Sequence, residues 1–119
     1  MIDQQLIEFA AKAAGLNVKA QSVNADDRWI GLIVGEKHTR EKKFWNPLTD
    51  DGDALRLAVK LGLFIYQIKV NNKKITVVEW DFDHVGQSMI FDEMHEDDPY
   101  AATRRAIVQA AAELGRGMK

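Results

Sequence analysis

The sequence predicts an α+β fold: three helices packed on one largely antiparallel sheet of four to five strands, in the order α-β-β-α-β-β-β-α. Three observations predict it. Apolar residues recur at helical spacing in three segments, and each segment runs through small residues into a glycine, at 11–15, 58–62 and 110–115. Between the helices, short apolar runs come in pairs joined by turn residues, the signature of hairpins. Consecutive hairpins make an antiparallel sheet, and the helices then share one of its faces.

The first helix covers residues 3–14. Leu6, Phe9, Ala10 and Ala13 share its apolar face, Asp3 caps the start, and Gly15 ends it in a left-handed conformation. Strands over 17–23 and 29–34 follow as a hairpin around Asn24-Ala25-Asp26-Asp27. Pro47 pushes Asn46 out of the helical region, and a second helix starts near residues 49–51. Asp50, Asp51 and Asp53 suit the positive end of that helix. Leu55, Ala58, Val59 and Leu61 form its apolar face, and Gly62 stops it. Strands over 63–70 and 74–80 turn at Asn71-Asn72, where asparagine tolerates positive φ. That turn sets Ile68 opposite Ile75 and Tyr66 opposite Val77 on what is expected to be the core face. Lys69–Lys74 and Ile65–Val78 fall on the other face, which is expected to be wet only near its tip. A polar turn over 81–86 leads to a further strand over 87–94. Asp98 as N-cap and Pro99 at the first helical position open the last helix. Thr103, Ile107, Ala110, Ala111 and Leu114 form its buried stripe, and Gly115 closes it.

Composition narrows the function. A chain of 119 residues is one domain in size, and 46% hydrophobic with 29% charged residues is globular, not disordered. With no cysteine there are no disulfides, thiolate metal sites or cysteine nucleophiles. A net charge of −2 supplies no field toward nucleic acid or anionic lipid, so no direct DNA binding is expected. The start, Met1-Ile2-Asp3-Gln4-Gln5, is not a signal peptide, and no apolar run approaches a membrane span. The expectation is a cytoplasmic monomer or homodimer without a cofactor.

Several constellations are candidates for chemistry. The run Lys37-His38-Thr39-Arg40-Glu41-Lys42-Lys43 precedes Phe44 and Trp45; basic groups beside aromatics can hold phosphates and stack a base, although Glu41 interrupts the run and a solvated loop also explains it. Asp50, Asp51 and Asp53 lack the alternation and terminal glutamate of a calcium loop, and capping explains them. Asp81, Asp83, His84 and His95, with Asp92 and Glu93 nearby, offer carboxylate and imidazole ligands for a metal-dependent enzyme, but their spacing matches no metal signature. Arg104 or Arg105 can take a carboxylate or phosphate, or pair with an acid among residues 96–98. Ser22 and Ser88 sit in no nucleophile elbow, and there is no P-loop. Trp29 and Trp80 read as core; Trp45 is either an exposed partner anchor or a hydrophobic staple for the second helix.

Two blocks carry a resemblance. Phe44-Trp45-Asn46-Pro47-Leu48-Thr49-Asp50-Asp51-Gly52-Asp53-Ala54-Leu55-Arg56-Leu57-Ala58-Val59-Lys60-Leu61 and Asp98-Pro99-Tyr100-Ala101-Ala102-Thr103-Arg104-Arg105-Ala106-Ile107-Val108-Gln109-Ala110-Ala111-Ala112-Glu113-Leu114-Gly115 together resemble a family of small proteins encoded by tailed phages and prophages. The resemblance covers about a third of the chain and carries over no catalytic residue. It implies a non-enzymatic accessory protein that binds a host protein, for example a CRISPR effector of a defence system, or that holds a nucleotide signal. The residues expected to meet a host partner or a nucleotide are Lys42, Lys43, Trp45, Asp50, Asp51, Asp53, Arg104 and Arg105.

Overall fold

A computed structural model describes residues 2–25, 28–35, 40–81, 88–95 and 97–118. Its element order is α1 (Asp3–Ala13), β1 (Asn17–Ala25), β2 (Arg28–Gly35), β3 (Lys43–Trp45), α2 (Asp51–Leu61), β4 (Phe64–Val70), β5 (Lys73–Asp81), β6 (Ser88–Met94) and α3 (Pro99–Arg116). The α+β class and the strand after Trp80 are as the sequence predicts. The single sheet is not: there are two antiparallel sheets of three strands, ordered β1-β2-β3 and β4-β5-β6. The short strand β3 was not anticipated. It places Trp45 opposite Leu32 and Phe44 opposite Ile33, completing the first sheet before α2 begins.

Helix α3 joins the two halves. It packs against α1, α2, β5 and β6, and most of its surface is small: Ala102, Ala106, Ala110, Ala111 and Ala112 are buried with Ile107 and Val108. The opposing face of α1 supplies Ile7, Ala10, Ala11 and Ala14. Small residues let the two backbones come close. At Gly115 there is room for no side chain, because a Cβ would fall on the main-chain carbonyl of Phe9. Gly115 therefore does not end the helix, as its position in the sequence suggests; it lies one residue inside, and Gly117 caps the end with φ −79°. Gly15 and Gly62 do terminate their helices in the left-handed region, at φ +71° and +67°.

The hairpin of β4 and β5 has the predicted register. Asn71 and Asn72 take φ +51° and +65°, and Ile68 pairs with Ile75, Tyr66 with Val77, Lys69 with Lys74 and Ile65 with Val78. The covered face differs from expectation. Thr76, Val78 and Trp80 are buried on the side of α3; on the other face Val77 is also buried, but Tyr66 and Ile68 stay 42% and 41% exposed. A count of apolar residues favours the Tyr66–Ile68 face, but the docking of α3 decides the matter, since Thr103 of that helix bonds Thr76 directly. Tyr66 instead donates its hydroxyl to Glu79 at 3.0 Å.

Two tests follow from this architecture. Gly115→Ala should cost about 3 kcal/mol by overpacking against rigid backbone, whereas Gly62→Ala, which meets nothing within 4 Å, should cost only the left-handed strain of about 1 kcal/mol; chemical denaturation separates them. The Tyr66 phenol should titrate above the ordinary 10.0, chiefly through its hydrogen bond to Glu79, with desolvation and the carboxylate charge adding to the shift. The neutral phenol is then the form the fold favours, so its small stabilising contribution persists at neutral pH and is lost as pH rises through the raised value. In ultraviolet titration, Glu79→Gln should move that transition downward.

Candidate functional site

The two distinctive sequence blocks first explain each other. Asp50 is the N-cap of α2, its carboxylate accepting the Asp53 N–H at 2.8 Å. Asp53 is buried, and its carboxylate accepts the Asn46 N–H at 3.1 Å and an Arg56 N–H at 2.8 Å. Asn46 closes an Asx turn by accepting the Leu48 N–H at 3.0 Å. In the second block, Asp98 accepts the N–H groups of Tyr100 and Ala101, both at 3.0 Å. Arg104 then reaches back to the first block: Nε donates to the Leu48 carbonyl and Nη1 to Asp51, both at 2.7 Å. The start of α2 is thereby fixed against the start of α3.

Beside this junction lies a cleft of about 1060 Å³ between α2, the first half of α3 and the β4–β5 hairpin. Ala54 and Leu55 of α2, Ile65 of β4 and Ile107 of α3 give it an apolar wall, and Tyr100 stands at its edge, 70% exposed. Its charged lining is mostly cationic, Arg104, Lys73 and Lys74 against Asp51, the carboxylate that pairs Arg104; the imidazole of His95 and the neutral polar groups of Gln67, Asn72 and Thr103 complete it. The positive φ of Asn71 and Asn72 turns the chain tightly enough that Lys73 and Lys74 start β5 at the cleft rim.

Counting hydrogens shows which ring nitrogen of His95 carries a proton toward Thr76. The Thr103 hydroxyl donates to the Pro99 carbonyl at 2.8 Å and so has no hydrogen left for its neighbour. The bond of 2.8 Å between the Thr103 and Thr76 hydroxyls must then be donated by Thr76. Thr76, its own hydrogen spent, accepts from Nε2–H of His95. The neutral ring is the Nε2–H tautomer, and Nδ1 is left as an acceptor on a residue that lines the cleft. Thr76 is completely buried, so the orientation does not depend on solvent.

Of the residues singled out from sequence, Arg104, Asp51 and His95 line this cleft. Trp45 does not serve as an exposed anchor: it is 3% exposed and packs in the core, as a staple beneath α2 would. Arg105 pairs with Asp3 at 3.3 Å; Asp3 does not cap α1 but is its first residue, after the N-cap Ile2. Among the described residues the arginine partners are Asp51 and Asp3 instead of Asp97 or Asp98. Asp50 and Asp53 are engaged in capping, and Lys42 and Lys43 are exposed at the start of β3. Lys37, His38, Thr39, Asp83, His84 and Glu96 lie outside the described residues, as do the side chains of Asp81, Asp92 and Glu93; among the described residues no three acidic or imidazole groups converge as a metal site. Lys73, Lys74 and Tyr100 were missed, and the one available signal was the Lys-Lys pair directly after the Asn-Asn turn.

Comparison with protein-family models, curated proteins and solved structures gives no match. Among the described residues, no helix is long and apolar enough to cross a membrane.

Thr76→Val keeps the shape of the side chain and removes both hydroxyl bonds. It should lower the unfolding free energy by about 1–2 kcal/mol in urea and release His95 from the Nε2–H tautomer, which the ring nitrogen chemical shifts report directly.

Proposed function

We propose that this chain is a non-enzymatic binding protein whose cleft holds a phosphate-bearing small molecule with a planar or apolar part, of which a nucleotide is the natural example. The observation that supports this is the local charge. On a chain of net charge −2, the cleft gathers two lysines, an arginine and a histidine against a single carboxylate, alongside an apolar wall and a tyrosine. Cations bind the phosphates, the wall and Tyr100 take the base, and Nδ1 of His95 accepts from a ligand N–H or O–H. The resemblance to small phage and prophage proteins fits an accessory role in the host cytoplasm, where such a cleft would sequester a nucleotide signal.

A second reading, docking on a host protein, is favoured by a different observation. Val59, and Leu55 at the cleft wall, both expected in the apolar face of α2, are 72% and 61% exposed. The acidic residues first considered for that role are engaged in capping and pairing, so an apolar contact is the form it takes.

A thermal-shift panel of nucleoside phosphates and cyclic nucleotides, with inorganic phosphate as reference, tests the first reading. At least one nucleotide should raise the melting temperature more than phosphate does. Replacing both Lys73 and Lys74 with alanine should weaken its binding about tenfold at low salt. A panel in which no nucleotide stabilises the protein would sink the proposal.

A further inference from the structure

Strand β4 is an edge whose main chain and side chains are both open. His95 N–H donates to the Lys74 carbonyl at 2.9 Å across the β5–β6 pair, so Lys74 turns its main-chain groups toward β6. By alternation Thr76 and Val78 do likewise, and Ile75, Val77 and Glu79 turn theirs toward β4. Their register partners Ile68, Tyr66 and Phe64 satisfy that ladder, which leaves Ile65, Gln67 and Lys69 with N–H and C=O directed away from the sheet. Every side chain of the strand is exposed, including Phe64, Tyr66, Ile68 and Val70 along one face. The strand has seven residues, no proline and no break in its register with β5, and Lys69 is its one charged residue. Edges that stay unpaired are usually short, bulged or heavily charged.

We infer that β4 is the interface for a second copy of this chain, added edge to edge and antiparallel about a two-fold axis at Gln67. The strand is self-complementary about that residue. The rotation sets Phe64 against Val70 and Tyr66 against Ile68 of the second copy on the outer face, and Ile65 against Lys69 on the cleft face, so no lysine meets a lysine. Gln67 is one of the outward-directed residues, so the two glutamines exchange both main-chain hydrogen bonds, as do the flanking Ile65–Lys69 pairs. This register pairs all seven residues, whereas moving the axis either way leaves an end of the strand without a strand partner. The product is a continuous six-stranded sheet whose outer face carries an apolar row of Ile75, Ile68, Tyr66 and Val77 across the join, repeated by symmetry. Lys69 of the second copy then lies beside Ile65 at the cleft, a further cation for an anionic ligand; only this corollary rests on the ligand reading.

Sedimentation equilibrium of the full chain without ligand tests the interface by itself. The wild type should be a dimer. Gln67→Pro deletes one outward donor per chain without touching the β4–β5 ladder, and should weaken the dimer about thirtyfold while circular dichroism stays unchanged. Tyr66→Lys and Ile68→Glu alter exposed positions that face each other only across this axis. Each variant alone should shift toward monomer, and an equimolar mixture should recover a dimer, because each new ammonium meets a new carboxylate. A wild type that stays monomeric at every concentration, or a dimer unmoved by the charged variants, overturns the inference.

Discussion

The rest of the structure depends on how closely α3 can be approached. A helix that contacts another helix on one side and a sheet on the other must keep side chains small where backbones meet and larger where they do not. In α3 the alanines at 102, 106, 110, 111 and 112 are buried, Ile107 and Val108 fill the wider gaps, and Gly115 admits the α1 backbone at Phe9. Because α1 carries the first sheet and α3 lies on the second, the small-residue seam between these helices holds the two sheets in one molecule. Arg104 adds a polar lock, tying α3 to the first turn of α2 through Leu48 and Asp51.

The same packing leaves the openings. Helix α3 covers β5 and β6, while every residue of β4 remains exposed. Helix α2 is anchored at its start by Arg104, and Leu55 and Ile65 both line the hollow beside it. The cleft and the open edge are thus two results of one geometric fact: the second sheet is wider than the helix laid on it. The hairpin tip then brings Lys73 and Lys74 to the rim, where their ammonium groups remain solvated and do not have to be buried.

Local features of the fold were legible and global ones less so. The Asn71-Asn72 turn sets a hairpin register within a few residues, and the whole β4–β5 ladder could be read from it. Asp50, Asp98, Pro99 and Gly62 mark helix ends through short-range bonds. Which face of that hairpin becomes core was not legible, because it depends on where a helix some twenty residues later docks. Gly115 illustrates the same limit: a glycine after an alanine run reads as a stop until the neighbouring backbone is in place. In the candidate site, Arg104 stood out because it begins a helix beside another arginine. Lys73, Lys74 and Tyr100 are ordinary by sequence, His95 was read as a metal ligand, and only the fold brings the four around one hollow.

The buried hydroxyl of Thr76 is the point at which stability and function separate. It sits in a strand otherwise flanked on that face by Val78 and Trp80, where a valine would fill the same volume with no polar group to satisfy. The threonine is accommodated only because Thr103 and His95 complete its hydrogen bonds, and Thr103 in turn donates back to the Pro99 carbonyl one turn earlier in α3. This chain of donors is worth about 1–2 kcal/mol over a methyl group, which does not account for where it ends. What it adds is direction: it starts at a helix terminus and ends by holding one imidazole in one tautomer at the wall of the cleft. A packed core has no use for that control, whereas a binding site that must present an acceptor at a fixed position does.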